Sequence, residues 1–211
     1  MLVSVIIDRV QSLLQDPTGV RWTSAELLYW VAESQQLIAS LRPDSTAQVA
    51  DLVMTANNHR ANLASNHRRL LDVLGTSDGY TVTRVDVSVL DRHAPNWRKE
   101  KGTRPEHYLY EERDPTVVQV YPAPKTDTTL RVLVSVTPAS TVASSDTVAV
   151  DDSYAATLVD LVMSRALEKE TAAASIQKGQ AYRQSAMARL QGVTGSDAAN
   201  SPATNEDRIQ K

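Results

Sequence analysis

The sequence predicts an α+β fold: a four-helix core from N- and C-terminal helical hairpins, an inserted antiparallel β unit, and an extended C-terminal arm. Three observations predict it. Apolar residues recur at helical spacing near both ends of the chain. In the middle the spacing changes to every second residue. Proline and glycine gather between the periodic runs, where turns belong. The expected divisions are 1–45 for the N-terminal hairpin and 46–150 for the β domain, then 151–191 for helices packing on 1–45 and 192–211 for the arm.

The first helix is expected over about 2–15, where Leu2, Ile6, Val10 and Leu13 share a stripe widened by Leu14. A short strand at 3–7 competes with it, because that run is β-branched. Asp16-Pro-Thr-Gly19 breaks the chain. A second helix is expected over 24–41. Thr23 caps it, Glu26 completes the capping box, and Trp22 and Leu27 flank them as a hydrophobic staple. Leu27, Trp30, Val31, Ser34, Ile38 and Leu41 form its apolar face. Pro43 ends it and pushes Arg42 out of helical geometry.

Residues 82–89 and 129–136 alternate at period two, so both read as strands. Residues 108–110 and 117–121 are shorter β runs between prolines, and 75–79 is a turn. Segments 49–55 and 69–74 fit strand or helix by pattern, and the Asn and His residues around them favour strand. From Asp151 the period returns to 3.6, with Ser153 as expected cap and the adjacent aspartates suited to a helix N-terminus. Tyr154, Leu158, Leu161, Val162 and Leu167 make one stripe. Ile176, Tyr182, Met187 and Leu190 make the next, and periodicity leaves open whether the chain breaks between the two. After Gly192 the chain is small and polar and is expected to be disordered in isolation.

Composition narrows the function. With no Phe, the core rests on Leu, Val and Ala, with Trp22, Leu27, Trp30, Tyr108, Tyr121 and Tyr154 as expected core pieces. A net charge of −3 argues against a dedicated nucleic-acid binder, whose affinity needs a basic surface. The lack of cysteine excludes disulfides, thiolate zinc ligands and thiol catalysis. No apolar run is long enough for a transmembrane helix, and no signal peptide or membrane partner is expected.

Chemistry is sparse. His59, His67, His93 and His107 form no helical metal pair, so no metal or cofactor is expected. Glu111 and Glu112 would point to opposite faces of a strand, which suits surface duty better than shared acid–base work. No phosphate-binding glycine loop and no nucleophile elbow occur. One basic concentration stands out at 92–104, holding Arg92, Arg98, Lys99, Lys101 and Arg104 around Trp97. Such a loop meets an acidic protein partner or solvent, or lies near DNA with the tryptophan in contact. A DNA-binding module built on it is therefore one reading, and a hydrolase using paired carboxylates is a weaker one.

Several motifs coincide in order: Arg21-Trp-Thr-x-x-Glu-Leu-x-x-Trp30, Leu41-Arg-Pro-Asp44, Leu70-Leu-Asp-Val73, Thr83-Arg-Val-Asp86, Pro105-Glu-His-Tyr-Leu-Tyr110, Val118-x-Val-Tyr-Pro122 and Val150-Asp-Asp-x-Tyr154. In this order the chain resembles the head-to-tail adaptor, or connector, proteins of tailed bacteriophages, over roughly 2–191. The resemblance implies a structural virion protein at the portal vertex, not an enzyme, assembled in the host cytoplasm. It implies a homo-oligomeric ring, usually of twelve copies, between the portal protein and tail nozzle or tail completion proteins. Packaged double-stranded DNA would pass through its channel without sequence-specific binding. It also implies a C-terminal arm that reaches the portal, which places Ser201, Pro202, Asn205, Arg208 and Ile209 there. The 92–104 loop would then face the tail or lie near the DNA.

Overall fold

The computed structural model describes residues 1–170 and 172–200, with side chains as far as Gly192. In chain order the elements are α1 (Val3–Leu14), α2 (Ser24–Leu41), β1 (Ala47–Met54), β2 (Arg60–Asn62), β3 (His67–Thr76), β4 (Thr83–Arg84), α3 (Val87–His93), β5 (Lys101–Gly102), β6 (His107–Tyr110), β7 (Val117–Tyr121), β8 (Ala123–Pro124), β9 (Thr128–Val136), α4 (Ala155–Glu168) and α5 (Ala173–Asn200). The class is α+β, as the periodicities predict. The chain forms two compact units. One holds Met1–Gln35, Ser140–Val148 and the chain from Asp152; the other holds Gln36–Ala139 and Ala149–Asp151. Helix α2 begins in the first, and its residues from Gln36 belong to the second.

In the helical unit, α4 is the centre. Every residue from Thr157 to Ser164 is buried, and so is Ala166. A helix apolar all round belongs inside a bundle. Its one buried acid, Asp160, is compensated as burial requires. Ser185 donates to it at 3.0 Å, and Arg189 lies 3.6 Å away. Helix α5 lies close along α4 because Gly179 has no side chain. A Cβ there would sit 3.1 Å from the Ser164 carbonyl oxygen and 3.3 Å from Leu167. The α5 contact face is therefore Gly179, Ala186 and Leu190. The expected stripe is corrected at Ile176, which is exposed, and at Tyr182 and Met187, which are only half-buried. The chain does break between the two helices, with α4 ending at Glu168 and α5 starting at Ala173.

At 3–7 the helix prevails over the strand reading: α1 buries Val3, Ile6, Ile7 and Val10. Leu13 is exposed, as is Leu41 at the end of α2. Arg42 has φ −130° and ψ 82°, outside the helical region, as the following proline demands. Ser153 does not cap α4. The N-cap is Tyr154, without a side-chain cap bond, at the end of a 3-10 turn over Asp152–Tyr154. At the other end α5 continues as helix to Asn200, so the arm expected to be extended from 192 is helical over its first residues. Only Ala198 and Ala199 favour helix strongly there, Gly192 and Gly195 oppose it, and no proline stands before Pro202.

The second unit holds the sheets. Strands order β1-β9-β3 in one sheet and β2-β7-β6-β4 in another, with a small β5-β8 pair. Pairing is antiparallel except for β4 with β6 and β5 with β8, which are parallel and two residues long. The expected all-antiparallel unit is thus mostly but not wholly so. One core joins the two larger sheets: Leu52, Met54, Leu70, Val73, Tyr108, Val118, Val120, Leu130, Val132 and Val134. The ambiguous segments are strands, β1 and β3. Strand β3 carries three register shifts against β9, while β1 pairs with β9 without a shift. Near the end of β3, at its last register shift, Gly75 has φ +136°, and a Cβ there would lie 2.6 Å from the Tyr80 carbonyl oxygen. Only glycine fits that backbone.

The strand expected at 82–89 is overturned. Only Thr83 and Arg84 pair, and α3 begins at Val87. Asp86 is the reason. Its carboxylate accepts from the Ser88 amide at 2.7 Å, an N-cap that starts a helix despite the valines around it. Glu111 and Glu112 lie beyond β6, in the turn that follows it, and not on a strand.

Candidate functional site

The Trp-Thr-x-x-Glu start of α2 folds as its spacing predicts. Thr23 donates its amide and hydroxyl to the Glu26 carboxylate at 3.1 and 3.0 Å, and the Glu26 amide returns to the Thr23 hydroxyl at 3.4 Å. Ahead of this box, the Asp16 carboxylate gathers the amides of Val20, Arg21 and Trp22 at 3.1, 2.8 and 3.0 Å. This acceptor loop sets the backbone that delivers Trp22. Trp22 is buried, and its indole N–H donates to the Ala166 carbonyl at 3.0 Å. That carbonyl belongs to the last turn of α4, whose acceptors lack helical partners. Arg21 reaches Glu170 at 3.0 Å, and Lys169 reaches Glu26 at 2.5 Å. The motif thus closes the C-terminal end of α4, 144 residues away in sequence. Leu27 and Tyr154 are buried, while Trp30 is only half-buried.

Asp16 has a pH consequence. The Trp22 amide above all, with those of Arg21, Val20 and Gly19, holds its carboxyl below its ordinary value of 3.8. A depressed acid stabilises the fold above its unfolded pKa and loses that contribution as pH falls through the lower folded value. Asp16→Asn should therefore shrink the drop in melting temperature below about pH 4, where unfolded carboxyls take up protons. An unchanged acid limb in melts from pH 6 to pH 2.5 would contradict it.

In the sheet unit the basic segment is ordered around Trp97. Residues Trp97–Lys99 form a 3-10 turn after α3. Trp97 is completely buried with Leu90 and Leu109. Its indole donates to Asp91 at 2.9 Å, and Arg98 pairs with the same carboxylate at 3.0 Å while lying 4.4 Å over the ring. The Trp97 bond first, then Arg98, keeps the Asp91 carboxyl below its ordinary range. Rings of His59 and Tyr121 meet Trp97 edge-on at 5.8 and 6.4 Å. Burial foremost, then Arg60 and Arg98, lowers the His59 pKa. Trp97 is therefore corrected from a partner-facing residue to a core residue. Ring edges and Asp91 enclose it because the helix–turn pair folds back on β6. Arg92, Arg98, Lys99, Lys101 and Arg104 stay exposed. Arg92, Lys99 and Lys101 have no ion pair among the described residues.

Tyr108 is buried and Tyr121 half-buried. The Tyr108 hydroxyl donates to Asp72 at 2.8 Å, and burial, helped by that bond and charge, pushes its pKa up to about 12. Tyr121 donates to Glu100 at 2.7 Å. The first bond ties β3 to β6, and the second ties β7 to the turn after α3. Among the described residues no group of three or more metal-type side chains converges, and no helix is long and apolar enough to cross a membrane. Ser201, Pro202, Asn205, Arg208 and Ile209 lie outside the described residues. Sequence reasoning missed the Asp16 acceptor loop and the Ala166 acceptor. The Asp-Pro-x-Gly run was a signal for the first; a backbone carbonyl carries no signal for the second.

No curated protein matches the chain. A family model described as SU10 adaptor protein matches residues 1–206. The ordered motifs, the α+β class and this match along nearly the whole length agree, and the chain belongs to the SU10 adaptor family, structural proteins of the phage head-to-tail junction.

Proposed function

We propose that this protein is the ring-forming link between portal and tail. Twelve copies close by rotation beneath the portal, tail proteins attach below, and double-stranded DNA passes through the channel. The observation that carries this reading is the family match across residues 1–206. The surface is in keeping with it. Large apolar side chains are exposed in both units, among them Leu13, Val20 and Tyr29 in one and Val49, Val53 and Leu74 in the other. Subunit neighbours in a ring would cover such groups where they gather into a patch. A closed ring uses two different patches per copy, one meeting the other on the next subunit. The net charge of −3 suits a channel that DNA must leave, because tight phosphate binding would stall it.

The test is cryo-EM or native mass spectrometry of the protein mixed with its portal. A ring seated on the portal is expected. A chain that never joins portal or particle would sink the reading, whereas a free monomer would not. Residues 201–211 are the proposed portal contact. Truncation after Asn200 should leave the melting temperature within about 2 °C, as surface changes do, and reduce portal occupancy strongly. Full occupancy by the truncated chain would remove that contact from the proposal.

A further inference from the structure

The sheet unit contains a cavity of about 460 Å³ lined by Ser40, Pro43, Arg68, Arg69, Glu112 and Pro115. Consecutive residues of a regular strand point to opposite faces, so neighbouring arginines should not share one cavity. Here they do. Strand β3 shifts register against β9 between His67 and Arg69, and Arg68 is the extra residue. A bulge of this kind re-aims a side chain, and bulges gather beside functional sites.

The two arginines are held differently. Arg68 donates to the Ser40 hydroxyl at 3.1 Å, at the C-terminal end of α2, where a cation is favoured by the helix dipole. Arg69 has no such account. Its Nε is buried and donates to no group among the described residues. A buried donor left unmade costs stability, and native structures keep few of them. The guanidinium fork is shaped for two oxygens at once, through Nε and one Nη. Pro43 and Pro115 wall the cavity with residues that have no N–H to compete for those oxygens.

We propose that this bulge-built cavity is a carboxylate-binding site, filled by an acidic side chain of a partner protein that takes the Arg69 Nε–H, with Arg68 as second cation. A protein carboxylate fits better than a DNA phosphate. Glu111, Glu112 and Asp114 outnumber Arg113 in the adjoining turn, and the net negative charge opposes a long phosphate backbone more than one short carboxylate. The site stands apart from the 92–104 loop and does not depend on the ring number.

The experiment follows the arginine Nε–Hε resonances of the full-length, nitrogen-15-labelled protein while glutarate is added. The Arg69 signal should shift and saturate, while that of Arg60, which is paired with Asp114 at 3.4 Å, should move little. Arg69→Lys keeps the charge but loses the fork, and should weaken glutarate binding at least about fivefold with the melt preserved. Glu112→Gln should tighten it. An Arg69 response no larger than that of Arg60 overturns the site. Saturation by inorganic phosphate and duplex DNA but not by glutarate overturns the protein carboxylate as its ligand.

Discussion

Trp22→Ala should destabilise the helical unit by about 3–5 kcal/mol, the usual cost of emptying a buried tryptophan site. The loss has two parts. The ring leaves a cavity, because Trp22 is only 4% exposed. The Ala166 carbonyl also loses its donor at the end of α4. Trp22→Phe separates them: it keeps most of the apolar ring and should cost about 1–3 kcal/mol, the penalty of an unsatisfied buried acceptor. Urea unfolding followed by circular dichroism measures both. A loss under about 0.5 kcal/mol for the alanine variant would mean that the indole does not anchor α4. The helical signal should fall first, since α4 is the helix the others surround.

Trp97→Ala should cost the sheet unit a similar amount, about 3–5 kcal/mol, because the ring is completely buried. The prediction separates two roles for the basic segment. A tryptophan that stacks on bases would be exposed, and its removal would weaken DNA binding without unfolding. A core tryptophan does the reverse. The complementary variant replaces Arg92, Lys99 and Lys101 with alanine. It should leave stability within about 0.5 kcal/mol and flatten the salt dependence of whatever weak DNA contact the protein makes. If Trp97→Ala folds normally and lowers DNA affinity, the core assignment is wrong. Arg98 is a poor probe of either role, since it both pairs with Asp91 and covers the ring.

Much of the fold is legible where local rules act alone. The capping box at Thr23 and Glu26 needs only residues three apart, and it forms as read. Strand β9 alternates from Leu130 to Val134 because one sheet face is core: Leu130, Val132 and Val134 are buried, Arg131 is exposed and Leu133 is half-buried. The same rule fails at 82–89. There the Asp86 cap, a single side chain, outweighs a run of alternating valines. The α5 stripe fails for another reason. Periodicity favours large apolar residues such as Ile176, but close helix approach selects the smallest, Gly179 and Ala186.

For the candidate surfaces the divide is sharper. The basic character of 92–104 is plain in the sequence, and the exposure of Arg92, Lys99, Lys101 and Arg104 follows from charge. The burial of Trp97 does not, because its enclosure depends on His59 and Tyr121 arriving from other segments. The Arg68–Arg69 cavity is likewise invisible in one dimension, since a register shift exists only between two paired strands.

By itself the sequence determined the class, the family, the α2 cap and the strands β7 and β9, because each depends on spacing along one chain. The tertiary structure alone decided that α4 is the central helix, that Trp22 closes its far end, and that two adjacent arginines share one cavity. Those outcomes rest on backbone carbonyls, strand register and interhelical distance, which no residue type encodes and which appear only when distant segments meet.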